Sequence, residues 1–245
     1  MKVQTILVSQ PTPPEKSPYY DLERKFGVKL TFKPFIRIES LSTQEFRAQK
    51  IFVPDFSAIV LTSRTAVDHF FTLCKELRAP ISDDLQYFCL SETIALYLQK
   101  YITFRKRKIH FSKVAQWDDL ALVMKKHNTE RFLMPVADVH KEDLSIFAKA
   151  KVNVTTAVFY RTVSADFTPE EIKQYDMLCF FTPAGIQSLF TNYPEYEQGD
   201  QQLAIFGPSA LAAAEARGLR VDLAAPTEEC PSMPSALNSF LLKNL

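Results

Sequence analysis

The sequence predicts an α/β protein made of two similar lobes, each a parallel sheet flanked by helices. Short apolar segments alternate with segments whose apolar residues recur at helical spacing, which is the pattern of βα units on a parallel sheet. The pattern also occurs twice. Residues 59–71 are matched by residues 178–190, so that Ser63 and Thr182 hold equivalent positions 119 residues apart. A repeat with a period near half the chain indicates two copies of one structural unit.

The repeat continues on both sides of this segment, in the same order. The further matched pairs are 4–9 with 131–136, 33–38 with 157–162, 88–98 with 204–214, 109–111 with 221–223, and the closing helices at 117–126 and 232–243. In this alignment Ser91 matches Gly207. Because the order is kept at similar offsets, we expect the two lobes to share one topology, of the flavodoxin-like kind.

Hydroxyl residues mark the starts of the predicted helices. Ser63 and Ser91 stand where an N-cap is expected, and Thr182 is followed by a proline at the first helical position. After Ser63, one helix face is apolar, consisting of Ala66, Val67, Phe70, Phe71, Cys74 and Leu77.

The segments near residues 36 and 161 are predicted to be strands that cross between the lobes and pair as a two-stranded β ladder. One lobe then covers residues 36–161 without interruption, and the other combines residues 1–35 with residues 162–245. The alternative is a single division near residue 125. Two lobes imply a cleft, and clefts between domains are where small molecules usually bind. Since two lobes can form a complete cleft in one chain, we expect a monomer.

Composition narrows the class of protein. The 245 residues carry a formal net charge of +1, which argues against a general attraction to nucleic acid or to a membrane surface. The sequence contains no apolar run of membrane-spanning length and no signal-peptide pattern at its start. The four cysteines are widely separated, so we expect reduced thiols in a cytoplasmic protein.

The sequence offers little to hold a metal or a cofactor. The four histidines, His69, His110, His127 and His140, are scattered without the spacing of zinc ligands. Glycine-rich phosphate-binding signatures and a Ser/His/Asp set are also missing from the sequence. We therefore expect no metal and no cofactor.

Four segments together resemble the uroporphyrinogen-III synthase family. Residues 61–67 (Leu-Thr-Ser-Arg-Thr-Ala-Val) and 180–186 (Phe-Phe-Thr-Pro-Ala-Gly-Ile) are similar to its strand-to-helix motif. Residues 204–218 are similar to its later glycine-containing turn and helix, and residues 158–162 (Val-Phe-Tyr-Arg-Thr) to its inter-lobe strand. The resemblance covers nearly the whole chain, and its specificity lies in the order and duplication of the motifs.

The resemblance implies an enzyme of haem biosynthesis, a lyase that cyclises hydroxymethylbilane, a linear tetrapyrrole, with inversion of the terminal ring. The resemblance also implies that Tyr160 assists departure of the substrate hydroxyl. Without the resemblance, a tyrosine on a strand would be interpreted as a half-buried packing residue. The substrate carboxylates would be held at the strand-to-helix junctions, where helix N-termini offer free N–H groups and a partial positive charge. The residues concerned are Thr62, Ser63, Arg64, Ser91, Thr93, Thr182, Pro183, Ala184, Gly185 and Ser209. Helix capping alone is the other interpretation of these junctions.

Two other functions stay open on the sequence. The positions of the family's turn threonines are held by Ile94 and Ala210, which suggests a non-catalytic module that binds a tetrapyrrole or another polycarboxylate. A phosphorylated receiver-like regulator is disfavoured, because Asp55 and Asp176 precede their strands, whereas ligands gather at the carboxyl ends of strands.

Overall fold

The structure is a computed structural model that describes residues 3–139 and 144–244; His140 lies outside the described residues. The strands of the described residues are β1 (Thr5–Val8), β2 (Lys29–Phe32), β3 (Ile36–Ser40), β4 (Ala58–Leu61), β5 (Gln86–Cys89), β6 (Ile109–Phe111), β7 (Phe132–Ala137), β8 (Val154–Ser164), β9 (Met177–Phe180), β10 (Gln202–Phe206) and β11 (Leu223–Ala225). The helices are α1 (Pro18–Phe26), α2 (Thr43–Ala48), α3 (Arg64–Leu77), α4 (Glu92–Tyr97), α5 (Trp117–Lys125), α6 (Ser145–Lys149), α7 (Pro169–Lys173), α8 (Pro183–Asn192), α9 (Pro208–Ala216) and α10 (Met233–Lys243).

The chain divides into two compact units. The continuous unit is Ile38–Thr162, and the discontinuous unit combines Met1–Arg37 with Val163–Leu245. The discontinuous unit has a sheet of order β11-β10-β9-β1-β2, in which all four pairings are parallel. The second sheet has the order β3-β8-β7-β4-β5-β6, and its pairings from β8 to β6 are parallel. The predicted α/β class, with parallel sheets flanked by helices, is confirmed.

The continuous unit buries both faces of its sheet, which explains why its central strand is wholly apolar. On β4, Ile59 and Leu61 pack in a cluster with the inner face of α3, including Phe70. The alternate residues, Ala58 and Val60, pack in a second cluster with residues of α5 and α6. Alternation along the strand thus distributes its side chains between two helical layers.

The discontinuous unit repeats this arrangement on β9. Met177 and Cys179 pack with residues of α1 and α10, while Leu178 and Phe180 pack with residues of α8 and α9. Cys179 is fully buried, and burial raises the pKa of its thiol. All four cysteines of the chain are free, as expected from their spacing.

Two of the repeated segments are strands over only part of their length. In residues 221–223 the strand β11 begins at Leu223 and continues to Ala225, while the Asp222 carboxylate accepts the N–H of Leu203 at 2.9 Å. In residues 33–38 the strand β3 begins at Ile36. Among the described residues, no helix is both long enough and apolar enough to cross a bilayer.

Candidate active site

The continuous unit places two capped helix N-termini at one edge of its sheet. Ser63 follows β4 and caps α3, its Oγ accepting the N–H of Ala66 at 3.0 Å. Ser91 follows β5 and caps α4, its Oγ accepting the N–H of Ile94 at 3.4 Å. Since β4 and β5 are adjacent and parallel, both caps lie at the carboxyl edge of the sheet, so the structure brings these two predicted residues together and confirms them as N-caps.

The other predicted residues of these junctions are not caps. Thr62 is half-buried between β4 and its cap, and Thr93 is exposed in the first turn of α4. Arg64 is the first residue of α3, and its guanidinium lies over the ring of Tyr97, 5.3 Å from the centroid. Arg64 forms no ion pair with any described residue, which leaves its charge available to an anion.

The carboxylate of Asp68 on α3 links this helix to the last residue of α4 and to the segment that follows it. Asp68 accepts hydrogen bonds from the hydroxyl of Tyr97 at 3.0 Å, from Lys100 Nζ at 2.9 Å, and from the hydroxyl of Tyr101. Burial alone would raise the pKa of Asp68, but the hydrogen bonds from its three neighbours lower it. An ionised Asp68 therefore fixes Tyr97, over which Arg64 lies.

Tyr160 lies on β8 and is half-buried against the core of the continuous unit. Its ring stacks on the imidazole of His69, with centroids 5.0 Å apart and planes inclined by 21°. His69 is on α3, and its Nδ1 is 2.7 Å from the hydroxyl oxygen of Ser40 on β3. Burial lowers the pKa of His69 against the opposing effect of the Asp68 carboxylate, so the ring beside Tyr160 is neutral at neutral pH.

Arg161 directly follows Tyr160 on β8. In the structure it is already engaged: Nε is 3.0 Å from Glu39 Oε1, and a terminal nitrogen is 2.5 Å from Glu45 Oε1. The hydrogen bonds to Glu45 and then Glu39 raise the pKa of Arg161. A substrate carboxylate would have to displace two carboxylates of the protein, so Arg161 is a poor binding residue.

The discontinuous unit places a capped helix N-terminus directly after its central strand β9. Thr182 follows β9 and caps α8, its Oγ1 accepting the N–H of Gly185 at 3.1 Å. Pro183 occupies the first turn, and Ala184 is half-buried beside it. A Cβ on Gly185 would meet both Thr182 Oγ1 and a ring carbon of Phe180 at 3.4 Å. A side chain at position 185 would therefore crowd the cap itself.

Ser209, which was predicted at a strand-to-helix junction, is not an N-cap, so the capping interpretation does not apply to it. The N-cap of α9 is Gly207, which has no side chain to accept a hydrogen bond and adopts a φ of 93°. This left-handed conformation favours glycine, so the backbone requirement at the junction excludes a serine or threonine cap there. Ser209 is exposed in the first turn. Since β9 and β10 are adjacent and parallel, Thr182 and Gly207 share one sheet edge.

Ser9 is a polar residue at this edge that the sequence reasoning missed as a site residue. It directly follows β1, and its N–H donates to the carbonyl of Cys179 at 3.0 Å. Its hydroxyl oxygen lies 3.9 Å from the Cβ position of Gly185. A hydroxyl residue at the carboxyl end of a central strand was the available signal, but the chain distance between Ser9 and α8 concealed it.

Taken unit by unit, the carboxyl edges of both sheets present hydroxyls and helix N-termini. Such ends bind anions through free backbone N–H groups and a partial positive charge. Within residues 3–139 and 144–244, no group of three or more His, Cys, Asp or Glu side chains is arranged to hold a metal ion. Each edge, taken by itself, presents hydroxyl groups and a helix N-terminus to an anion.

This fold and these edges define an α/β protein with capped helix N-termini at the carboxyl edges of its parallel sheets. The chain matches the family model described as uroporphyrinogen-III synthase HemD over residues 18–234. The protein belongs to the uroporphyrinogen-III synthase family. No curated protein sequence matches the chain.

One solved structure supports the fold at low sequence identity, and a second is similar over nearly the whole chain. Uroporphyrinogen-III synthetase from Helicobacter pylori is 14% identical, with 98% of this chain and 99% of that chain covered and a TM-score of 0.56. A mutant uroporphyrinogen III synthase from Thermus thermophilus is also 14% identical, covering 99% of this chain and 100% of that chain with a TM-score of 0.46.

Proposed function

We propose that this protein is a uroporphyrinogen-III synthase, a lyase that cyclises hydroxymethylbilane with inversion of the terminal pyrrole ring. Membership of the family is the observation that carries the proposal. The capped helix N-termini at the sheet edges support it, because they suit a substrate rich in carboxylates.

The proposed chemistry needs little from reactive side chains. The phenol of Tyr160 gives its proton to the terminal hydroxyl of the substrate, the C–O bond breaks, and water leaves. Electrons of the adjacent pyrrole then give an azafulvene cation, which the bridge-bearing α-carbon of the last ring attacks to form a spiro intermediate. The bond from this carbon to its original methylene bridge breaks, which leaves a second azafulvene cation on the preceding ring. The free α-carbon of the last ring attacks that cation, which closes the macrocycle with the last ring inverted. The proton lost when the rings regain aromaticity restores the phenol, so the net change is loss of one water.

Orientation is the larger part of the proposed task, since the free substrate cyclises without inversion. Carboxylates would be held by Thr62, Ser63, Arg64, Ser91 and Thr93 of the continuous unit, and by Thr182, Pro183, Ala184, Gly185 and Ser209 of the discontinuous unit. Pro183 and Ala184 would contact the substrate through their backbone or their apolar surface. Each charge-assisted hydrogen bond contributes about 1.5–3 kcal/mol, so several suffice without a strongly basic protein.

The two-lobe organisation is part of the same proposal. We expect two flavodoxin-like lobes, residues 36–161 and residues 1–35 with 162–245, joined by a two-stranded ladder. Numbered along its own chain path, the sheet of the discontinuous unit has the order 2-1-3-4-5, which supports the flavodoxin-like assignment. The neighbouring strands β3 and β8 support the ladder. A cytoplasmic monomer that binds neither nucleic acid nor membrane stays a prediction.

The deciding experiment is incubation of the purified protein with hydroxymethylbilane, followed by chromatographic separation of the product isomers. We expect isomer III, formed faster than the spontaneous product. Formation of isomer I alone, at the uncatalysed rate, would end the proposal.

Tyr160→Phe tests the proposed acid. Loss of the phenolic proton should slow turnover by roughly 100-fold or more while the fold is retained. Tyr20→Phe is the matched control, since the Tyr20 hydroxyl donates to the carbonyl of Pro13 at 3.2 Å and has no proposed role. An unchanged rate in Tyr160→Phe would remove Tyr160 from the mechanism.

The second candidate is a non-catalytic tetrapyrrole- or polycarboxylate-binding protein. The observation that favours it is the pair Ile94 and Ala210, both buried and without a hydroxyl at the positions of the family's turn threonines. Tight binding of hydroxymethylbilane without isomer-III formation would support this candidate, and rapid isomer-III formation would exclude it.

A further inference from the structure

We infer that His69 is a positioning residue that holds the phenol of Tyr160 in its reactive orientation, through face-to-face ring contact and its own anchor on Ser40. The inference rests on the proposed function, because it presupposes that Tyr160 acts on the substrate. It assigns a role to a histidine that lies outside the hydroxyl junctions.

The contact geometry is the first support. The rings of His69 and Tyr160 are 5.0 Å apart between centroids and inclined by 21°, so each ring face limits rotation of the other. Tyr160 is on the long strand β8, and His69 is on α3, the helix capped by Ser63. The ring contact therefore ties the phenol to the same helix that presents one of the proposed carboxylate-binding ends.

The imidazole is itself held in place. Its Nδ1 lies 2.7 Å from the Oγ of Ser40, a residue of β3. A ring that stacked without such an anchor could follow the movements of the tyrosine. Because the imidazole is held by Ser40 on a strand, its face stays in a fixed position beside the ring of Tyr160.

The charge state of the imidazole fits a positioning role. Burial lowers the pKa of His69, with the neighbouring Asp68 carboxylate acting in the opposite direction. A neutral ring adds no positive charge to the face of the phenol. His69 would thus orient Tyr160 while leaving its proton in place until the substrate hydroxyl departs.

Three substitutions separate ring contact from anchor. His69→Ala removes both, and we expect kcat for isomer-III formation to fall roughly tenfold with little change in KM, because the phenol loses its fixed orientation. His69→Phe keeps a ring and should retain more activity than His69→Ala. Ser40→Ala keeps the imidazole but frees it, and should give an intermediate loss.

His110→Ala is the matched control for general destabilisation. His110 is also half-buried, stacks on Phe88 at 4.7 Å and 23°, and bonds to Gln86 at 2.9 Å. It lies on β6, outside the proposed machinery. We expect His110→Ala to lower the thermal midpoint about as much as His69→Ala while leaving kcat within twofold.

A double variant distinguishes failure of this inference from failure of the proposed function. If His69 acts through Tyr160, His69→Ala should reduce kcat no further in a Tyr160→Phe background. Equal fold losses in both backgrounds, or unchanged kcat in His69→Ala when Tyr160→Phe is slow, would overturn the inference alone. An unchanged kcat in Tyr160→Phe would overturn the role proposed for Tyr160.

Discussion

Replacing Thr182 with valine separates the two interpretations of a strand-to-helix junction. The substitution keeps the shape of the side chain and removes the oxygen that accepts the N–H of Gly185 at 3.1 Å. Loss of such an N-cap costs about 1 kcal/mol of unfolding free energy, which corresponds to a fall of about 2–4 °C in the thermal midpoint. Capping alone predicts this change and no other.

Substrate contact predicts a second change. The Thr182 hydroxyl oxygen accepts the N–H of Gly185, and its own proton remains available to a substrate carboxylate. A hydrogen bond to a carboxylate contributes about 1.5–3 kcal/mol. Its loss should raise KM for hydroxymethylbilane roughly 10- to 100-fold, with the proportion of isomer I increased. Thr182→Ser, which retains acceptor and donor, should restore KM.

Thr168→Val is the matched control. Thr168 also caps a helix that starts with proline, its Oγ1 accepting the N–H of Glu171 at 3.4 Å, but it follows a strand of the other sheet. It should lower the thermal midpoint without affecting KM. An equal KM for wild type and Thr182→Val, alongside the expected loss of stability, would refute the binding interpretation and leave Thr182 as a cap.

Two further predictions concern stability. Asp176→Ala should lower the unfolding free energy by about 2–3 kcal/mol in urea titrations. The reason is that the Asp176 carboxylate accepts the N–H groups of Gln4 and Thr5 at 2.8 and 2.9 Å. A loss of less than about 0.5 kcal/mol would contradict this prediction. Burial lowers the pKa values of His69 and His110, so the unfolded chain takes up protons first as pH falls below about 6.5, and stability must fall from pH 7.5 to pH 5.5. The double variant His69→Phe/His110→Phe should show a shallower fall of the thermal midpoint over this interval, and an unchanged slope would contradict the assignment.

Local features were predictable from the sequence. The strands β4 and β9 are apolar throughout and lead directly into capped helices, so both their type and their ends could be assigned. The capping residues Ser63, Ser91 and Thr182 each accept the N–H of the residue three positions later. Because this contact is local in the sequence, it could be predicted without knowledge of the fold.

Contacts between distant segments were not predictable in this way. The stacking of His69 on Tyr160 joins residues 91 positions apart, and no local pattern marks either ring as the partner of the other. The ion pairs of Arg161 with Glu39 and Glu45 likewise become visible only when β3, α2 and β8 are placed together. Ser209 does not cap α9, because the backbone conformation of Gly207, and not a hydroxyl, determines that junction.

The replacement of the family's turn threonine by Ala210 has a limited chemical consequence. At the start of α9, Pro208 has no N–H and Gly207 provides no side-chain cap, so among the described residues no hydrogen bond is made to the N–H groups of Ser209 and Ala210. At the start of α8, by contrast, Thr182 Oγ1 occupies the N–H of Gly185. Loss of a hydroxyl at position 210 therefore leaves two backbone donors in the first turn of α9. Because these donors belong to the main chain, the carboxylate binding proposed there would not depend on the side chain at position 210, and it would be compatible with a protein whose net charge is only +1.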